Sequence, residues 1–173
     1  ITLEDVRSLP RGELVGIFGV KTGEMILNYC IGKDSTSIDI INGEYARKSV
    51  GIDINWGIRF EDDLQVEGFL NRLAVELNKR LLEIAMKGSN LTLKLATRHP
   101  NAPIEPAKYL GMGKCNFTSK ISKLGVVTRE ISVLASEMRY IWRYMNIKPV
   151  ELRGVSVHMN GLISDDEMKE DVN

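Results

Sequence analysis

The stretch from Asn90 to Arg98 constrains the fold most, because apolar and polar residues alternate along it almost strictly. A period of two is typical of a β-strand with one buried and one solvent-exposed face. The leucines at positions 91, 93 and 95 are predicted to face the core. The residues predicted to face solvent are Thr92, Lys94, Ala96 and Arg98.

A second strand with exposed cations is predicted for residues 114–120, after a loop rich in Pro and Gly. Lys and Thr again occupy alternate positions, and the predicted exposed faces of the two strands contain no acid. Two neighbouring strands that present cations and hydroxyls indicate a surface for a phosphate backbone. The residues predicted to contact phosphates on it are Thr92, Lys94, Arg98, Lys114, Thr118, Ser119 and Lys120.

The hydrophobic patterns of residues 48–163 predict six elements in the order strand, helix, strand, strand, helix, strand. Residues 49–60 alternate as a long strand with Trp56 on the inward register, and residues 151–162 form the last strand. Asp62 and Asp63 begin the first helix, and Thr128 caps the second. The predicted fold class is therefore α+β, with a four-stranded antiparallel sheet and two helices on one face.

The two predicted helices cover the sheet face that carries Val50, Leu93 and Val155. The opposite face is predicted to stay open to solvent, and Arg153 is a further candidate for it.

Residues 1–33 are predicted to form a small helical segment. Thr2 caps a first helix, Pro10 begins a second, and Gly32 ends a third. A short turn between the last two is typical of a helix-hairpin-helix element, whose glycines and free N–H groups can approach a phosphate. A plain two-helix turn also favours glycine, so both interpretations stay open. The predicted phosphate-contacting residues of this turn are Gly19, Val20, Lys21, Thr22 and Gly23.

Residues 34–47 are polar and are predicted to be a linker. Arg47 and Lys48 lie at its end, and Ser49 begins the first strand of the main domain. Residues 164–173 are predicted to be an acidic tail with almost nothing to bury.

The formal net charge of zero conceals an uneven distribution. Residues 48–163 contain 17 Lys and Arg against 11 Asp and Glu, net +6, whereas residues 1–47 are net −2 and residues 164–173 are net −4. A basic central domain is compatible with nucleic-acid binding. Two distant cysteines, Cys30 and Cys115, favour a reducing compartment and no disulfide framework.

No catalytic or metal site is predicted within these residues. The cluster Gly111-Met112-Gly113-Lys114 lacks the spacing of a phosphate-binding P-loop. His99 and His158 have no ligand or triad partner nearby in the sequence, and Asp62-Asp63 is better explained as a helix start. No run of residues approaches the length of a membrane span, and the N-terminus has no signal-peptide features, so it is expected to be the start of a fragment.

Several segments together resemble the deoxycytidyl transferase family of the Y-family translesion DNA polymerases, the reversionless DNA repair proteins. Residues 103–115, Pro-Ile-Glu-Pro-Ala-Lys-Tyr-Leu-Gly-Met-Gly-Lys-Cys, are the most specific and resemble fungal members in particular. The other matching segments are residues 18–23, 47–50, 53–60, 87–94 and 151–157.

The resemblance implies a thumb with a helix-hairpin-helix (1–33), a linker (34–47), a little-finger or polymerase-associated domain (48–163) and an acidic tail (164–173). It implies binding of primer–template DNA in translesion synthesis, in the nucleus. It also implies that the parent enzyme transfers dCMP with Mg²⁺ held by a palm that precedes this segment. The chain by itself is then expected to contain no catalytic residue and no cofactor, and to be inactive.

Two other functions compete with DNA binding. The first is a protein-docking module for other translesion polymerases or their subunits. Its predicted surface is the outer helix face with Arg72, Lys79, Arg129, Arg139 and Arg143. The second is an RNA-recognition module, which requires aromatic side chains on the open sheet face. Trp56 and Phe117 are predicted to point away from that face, which disfavours this function.

Overall fold

The structure is a computed structural model that describes residues 2–34 and 47–166 of the chain. The chain divides into two compact units, residues 1–45 and residues 46–173. Most of the predicted linker (35–46) and of the predicted acidic tail (167–173) lies outside the described residues.

Residues 2–34 of the first unit form three short helices: α1 (Leu3–Arg7), α2 (Arg11–Phe18) and α3 (Val20–Cys30). Thr2 caps α1 as predicted, because its Oγ1 accepts a hydrogen bond from the Asp5 N–H while the Asp5 carboxylate accepts one from the Thr2 N–H. This reciprocal capping box satisfies two of the free N–H groups at the helix start. Gly32 follows the end of α3 with a φ of 72°, which confirms its predicted role in helix termination.

The second unit is an α+β domain and confirms the predicted order of elements. Its elements are β1 (Ser49–Ile54), α4 (Asp63–Glu83), β2 (Met86–Arg98), β3 (Cys115–Thr128), α5 (Ile131–Met145), a 3₁₀ turn (Pro149–Glu151) and β4 (Leu152–Ser164). The strands form one antiparallel sheet in the order β1-β4-β2-β3. β2 and β4 are therefore central, and β1 and β3 are the two edges.

The hydrophobic core lies between the sheet and the two long helices. Leu91, Leu93 and Leu95 are fully buried, as the alternation of β2 predicts. They pack in one cluster with apolar residues of α4 and α5 such as Leu70 and Trp142. The helices thus cover one face of the sheet and leave the other face open, as predicted.

β1 is shorter than the sequence predicts. The strand ends at Ile54, and Gly57 adopts a left-handed φ of 72° that turns the chain away from the sheet. Trp56 is consequently about half exposed (48%), so its predicted inward register is wrong. Ile58, beyond the turn, does reach the core.

None of the helices within residues 2–34 and 47–166 combines the length and the apolar character that a membrane crossing requires.

Candidate nucleic-acid interface

Strand register places polar side chains from all four strands on the open face of the sheet. Directly paired residues of antiparallel strands share a face, so the register defines rows across the sheet. One row consists of Asp53, Ser156, Lys94 and Ser119. The next row consists of Gly51, His158, Thr92 and Ile121. Thr92, Lys94 and Ser119 therefore lie on the open face, as predicted.

Lys94 is the exposed cation near the centre of this face. Its Nζ lies 4.8 Å from the centroid of the Phe117 ring, which is a cation–π distance. Asp53 occupies the same row. A hydrogen bond from Ser156, together with His158 and Lys94, lowers the pKa of Asp53, so the carboxylate stays ionised. The open face therefore contains an acid, which is supplied by β1, whereas the open-face positions of β2 and β3 carry none.

The predicted facing of β3 is wrong by one residue. Thr118 pairs with Leu95 and Lys120 pairs with Leu93, so both lie on the helix side of the sheet. There the Lys120 Nζ lies 3.2 Å from the ring centroid of Tyr144 on α5. The physical reason is that β3 is an edge strand whose two faces are both largely exposed. Lys and Thr can therefore occupy either face, and their positions do not identify the open face.

Lys123 is the cation of β3 that the sequence pattern missed. It pairs with Asn90, which places it on the open face, two rows from Lys94. Lys123 shares the odd-numbered positions of Phe117 and Ser119, whereas the prediction followed the even-numbered positions of Lys114 and Lys120. Lys114 itself precedes β3 and is exposed.

Arg98 is held in an ion pair and does not offer a free cation. Its guanidinium makes two hydrogen bonds to the Glu151 carboxylate, at 2.8 and 2.9 Å, and a third to the Ala102 carbonyl at 2.8 Å. The side chain is only 19% exposed. A phosphate would have to displace Glu151, so the structure favours a role for Arg98 in anchoring the loop after β2.

Arg153 is buried, at 3% exposure, and is not on the open face as suggested from the sequence. Its guanidinium donates to the carbonyl oxygens of Val150 at 2.7 Å, Leu152 at 2.9 Å and Ile104 at 3.3 Å. Burial is the main cause that lowers the pKa of this group. Arg153 therefore fastens the long loop between β2 and β3 to the start of β4.

A third arginine anchors the same loop from the segment after β1. Arg59 makes two 2.8 Å hydrogen bonds to the Glu105 carboxylate and one of 3.2 Å to the Gly111 carbonyl. The Gly57 N–H adds a 2.9 Å bond to the Leu110 carbonyl. The most family-like segment of the sequence, residues 103–115, is thus held in place largely by arginine side chains.

Phe117 does not point away from the open face as predicted, so one of the two observations that disfavour an RNA-recognition module is wrong. Phe117 pairs with Ala96 and lies on the open face, where it is 57% exposed. It is the single Phe, Tyr or Trp among the strand positions that the structure places on this face. Trp56 lies beyond the end of β1, with the Lys108 Nζ 4.3 Å from its ring.

The helix-hairpin-helix turn is tighter than the five residues predicted from the sequence. Gly19, with a φ of 79°, alone connects α2 to α3. Val20, Lys21 and Thr22 form the first turn of α3, where backbone N–H groups lack helical acceptors. Gly23 lies inside α3, where an added Cβ would be 2.9 Å from the Val15 Cα. Its role is therefore close packing of α3 against α2, and the prediction that it belongs to the turn is wrong.

Arg47, Lys48 and Ser49 lie at the start of the second unit, and all three are exposed. Ser49 pairs with Asn160 on the open face, at the end of the sheet away from Lys94.

The helix-side cations proposed for protein docking are mostly engaged within the domain. Arg129 bonds both carboxylate oxygens of Asp165 at 2.8 Å, Arg143 pairs with Glu67, and Arg139 donates to Asn71. The Arg72 guanidinium lies 5.8 Å from the Phe69 ring, and Lys79 is exposed.

No cluster of three or more His, Cys, Asp or Glu side chains that could hold a metal ion occurs within residues 2–34 and 47–166. His158 does have a partner, since its Nε2 lies 3.4 Å from Asp53 Oδ1 on the adjacent strand.

The C-terminal domain model of the impB/mucB/samB family matches residues 47–172. Three curated DNA repair proteins are also similar over nearly the whole chain. The identity is 31% over 98% of the chain for Rev1 of Drosophila melanogaster and 34% over 95% for REV1 of Arabidopsis thaliana. It is 29% over 95% for rev1 of Schizosaccharomyces pombe.

The chain spans only 17%, 15% and 17% of the lengths of these three relatives, respectively. Identity over the whole chain does not single out the fungal relative, so a particular likeness to fungal members stays a prediction about the loop at 103–115. The chain belongs to the impB/mucB/samB family, as a Rev1-like C-terminal region of a Y-family polymerase.

Proposed function

We propose that this chain grips the backbone of primer–template DNA on behalf of a translesion DNA polymerase. The observation that supports this most is the open sheet face, which is backed by the hydrophobic core and bears exposed Lys94 and Lys123. Phosphate contacts of this type position a duplex without reading its sequence. Such a grip suits an enzyme that must accept damaged templates.

On this proposal Lys94 and Lys123 neutralise phosphates, and Thr92 and Ser119 donate hydrogen bonds to them. Lys114, Arg47, Lys48 and Ser49 extend the contact beyond the centre of the sheet. In the first unit, the free N–H groups at the start of α3 and the Lys21 side chain form a second phosphate contact.

Thr118, Lys120 and Arg98 contribute less to this grip than the sequence predicted. Lys120 packs on Tyr144 on the helix side, and Thr118 shares that side. Arg98 contributes indirectly, because its pair with Glu151 and its bond to Ala102 fix the loop after β2.

The absence of a predicted catalytic residue from this chain bears on the chemistry of the parent enzyme. We infer that dCMP transfer and its Mg²⁺ ions belong to another part of a longer polymerase, and that this chain alone has no transferase activity. The DNA repair relatives support a role in DNA damage bypass in the nucleus. Incubating the chain with primer–template DNA, dCTP and Mg²⁺ should give no primer extension.

Salt-dependent titration tests the proposed grip. Fluorescent primer–template DNA is titrated with the wild-type chain at several salt concentrations, and the slope of log affinity against log salt concentration is measured. Each phosphate contact should contribute about −0.9 to that slope. A Lys94→Glu, Lys114→Glu double variant should lose measurable DNA binding while keeping the wild-type thermal transition. A slope near zero for the wild-type chain would contradict the proposal.

A further inference from the structure

We propose that the free edge of β3, from Cys115 to Lys123, is a docking site for an extended acidic peptide segment of a partner protein. The segment would add to the sheet as a fifth strand, which is an established mode of peptide recognition. This site uses backbone groups of β3, whereas the proposed DNA grip uses side chains on the open face; Ser119 and Lys123 belong to both.

The hydrogen-bond pattern of the β2–β3 ladder identifies the groups at this edge. The His99 N–H donates to the Lys114 carbonyl at 2.9 Å, so residues 99 and 114 form a hydrogen-bonded pair. Hydrogen-bonded and non-bonded pairs alternate along an antiparallel ladder. The register runs without a shift from Arg98–Cys115 to Asn90–Lys123. The residues whose N–H and C=O groups point outward are therefore Cys115, Phe117, Ser119, Ile121 and Lys123.

The same alternation of hydrogen-bonded pairs identifies the outward groups of β1, the other edge strand, and a side-chain contact agrees with it. In β1 the outward groups belong to Ser49, Gly51 and Asp53, and the Gly51 carbonyl accepts a 2.7 Å hydrogen bond from Arg80. β1 is thus short and partly covered by a side chain of α4. Within residues 47–166 the outward groups of β3 have no such partner.

Between Cys115 and Lys123, the β3 edge has lysines, Lys120 and Lys123, as its only common edge-protecting feature. Native edges are commonly kept short, bulged, or interrupted by Pro. Between Cys115 and Lys123 there is no proline and no bulge, and two large apolar side chains are exposed, Phe117 at 57% and Ile121 at 68%. A regular edge with two exposed apolar side chains is suited to pairing with a strand whose charges complement its lysines.

Charge favours an acidic partner over a second copy of the chain. Residues 114–128 contain Lys114, Lys120 and Lys123 and no acid. Two copies of this strand would bring like charges together, whereas Glu or Asp side chains on a partner strand would meet opposite charges.

Backbone chemistry favours a peptide over DNA at this edge. Each outward residue presents both an N–H donor and a C=O acceptor. A second strand satisfies both kinds of group, whereas phosphate oxygens can only accept and would leave the outward carbonyls facing a polyanion.

The helix side of the edge supplies a place for side chains of the added strand. Tyr140 and Tyr144 of α5 are 58% and 64% exposed, and their ring centroids are 6.4 Å apart. Lys120 joins this aromatic pair to β3 through its contact with Tyr144. Alternate residues of the added strand would thus contact tyrosine on one side and Phe117 or Ile121 on the other.

Amide hydrogen exchange of the ¹⁵N-labelled chain tests the site directly. The probe is an acetylated peptide of about eight residues that alternates Val with Glu, long enough to span the outward groups. Without the peptide, the amides of Asn116, Thr118, Lys120 and Ser122 should exchange slowly and those of Phe117, Ser119 and Ile121 rapidly. With the peptide, the second set should slow at least about tenfold. No change in the second set would overturn the proposal.

A matched pair of variants separates peptide docking from folding and from DNA binding. Proline is tolerated at an edge residue whose N–H points to solvent. Ile121→Pro should weaken peptide binding about tenfold or more and leave the affinity for duplex DNA unchanged, whereas Ile121→Val should keep both. Equal peptide affinity in Ile121→Pro and Ile121→Val would refute the proposal, as would protection of the outward amides by DNA and not by the peptide.

Discussion

Replacing Lys94 by glutamine is the most informative single perturbation of the proposed DNA grip. Lys94 is the exposed cation near the centre of the open face, and the Asp53 carboxylate lies in its row of the sheet. Glutamine keeps a similar length and hydrogen-bonding capacity and removes only the charge. The Lys94 side chain is exposed and outside the core, so the fold should tolerate the change.

The expected magnitude follows from counterion release. One phosphate contact changes the slope of log affinity against log salt concentration by about −0.9, so its loss should make the slope shallower by about 0.9. If the variant and the wild type bind DNA equally at about 1 M salt, the variant should bind about eightfold more weakly at about 0.1 M salt. This difference corresponds to about 1.2 kcal/mol of binding free energy. Repulsion from the unbalanced Asp53 carboxylate adds to the loss at low salt.

The assay is a fluorescence anisotropy titration of primer–template DNA at four or more salt concentrations. Lys79→Gln is the matched control, since it makes the same change of net charge at an exposed position on α4, on the opposite side of the sheet. The slope for Lys79→Gln should equal that of wild type. If both variants change the slope equally, binding depends on net charge alone and the assignment to the open face is refuted.

Four further predictions concern the open face, the loop anchor, the acid response and the first unit. Asp53→Asn should strengthen DNA binding severalfold at low salt, as measured by the same titration, because it removes an ionised acid from the open face; unchanged affinity would place the DNA elsewhere. Arg153→Met should lower the free energy of unfolding by about 2–4 kcal/mol in urea denaturation, because three carbonyls lose their donor and the relief of guanidinium burial only partly offsets this; a neutral result would show that water replaces the donor. The Arg98 hydrogen bonds lower the pKa of Glu151 from its ordinary 4.5. The pair therefore stabilises the domain above that pH, and this contribution is lost as the pH falls through the lowered pKa. In Glu151→Gln the free energy of unfolding should depend less on pH in that acid range, and an unchanged pH dependence would argue against the pair. Gly23→Ala should destabilise α2 and α3 by about 1–3 kcal/mol in hydrogen exchange because its Cβ would approach Val15, whereas Gly16→Ala, with open space around it, should stabilise them by about 0.5–1 kcal/mol; the same sign for both would contradict the close packing at Gly23.

The sequence predicted the order of elements and the buried side of β2 correctly because burial marks them strongly, although Ala96, predicted to face solvent, is only 4% exposed. Leu91, Leu93 and Leu95 are central in the sheet and fully buried, so their alternation carries the register. Each amphipathic helix likewise has a continuous apolar stripe that packs on one face of that sheet.

Alternation failed at the edges of the sheet, where burial is weak. Among the residues of β3, only Leu124 and Thr128 are buried, so Lys120 and Thr118 gave no reliable sign of their side. β1 ends at Ile54, before the turn at Gly57. Trp56 fits the apolar–polar alternation of the sequence but lies beyond the end of the strand, so the alternation did not predict its position.

The hydrogen-bond partners of Arg98 and Arg153 could not be predicted from sequence patterns, because they are distant in the sequence. Arg98 and Glu151 are 53 residues apart in the sequence, and Arg153 bonds the Ile104 carbonyl from 49 residues away. Each looked like a cation available for phosphate, and only the three-dimensional arrangement shows that both are committed to anchoring a loop. The charge count of a domain therefore overstates the cations that are available for DNA.

Chemical-shift mapping of the ¹⁵N-labelled chain with a primer–template duplex tests the central claim most directly. If the open sheet face grips the backbone, the largest shifts within residues 47–166 should fall on Thr92, Lys94, Ser119, Lys123 and His158, and they should diminish as salt is raised. Shifts concentrated on the outer faces of α4 and α5, with the open face unchanged, would contradict it.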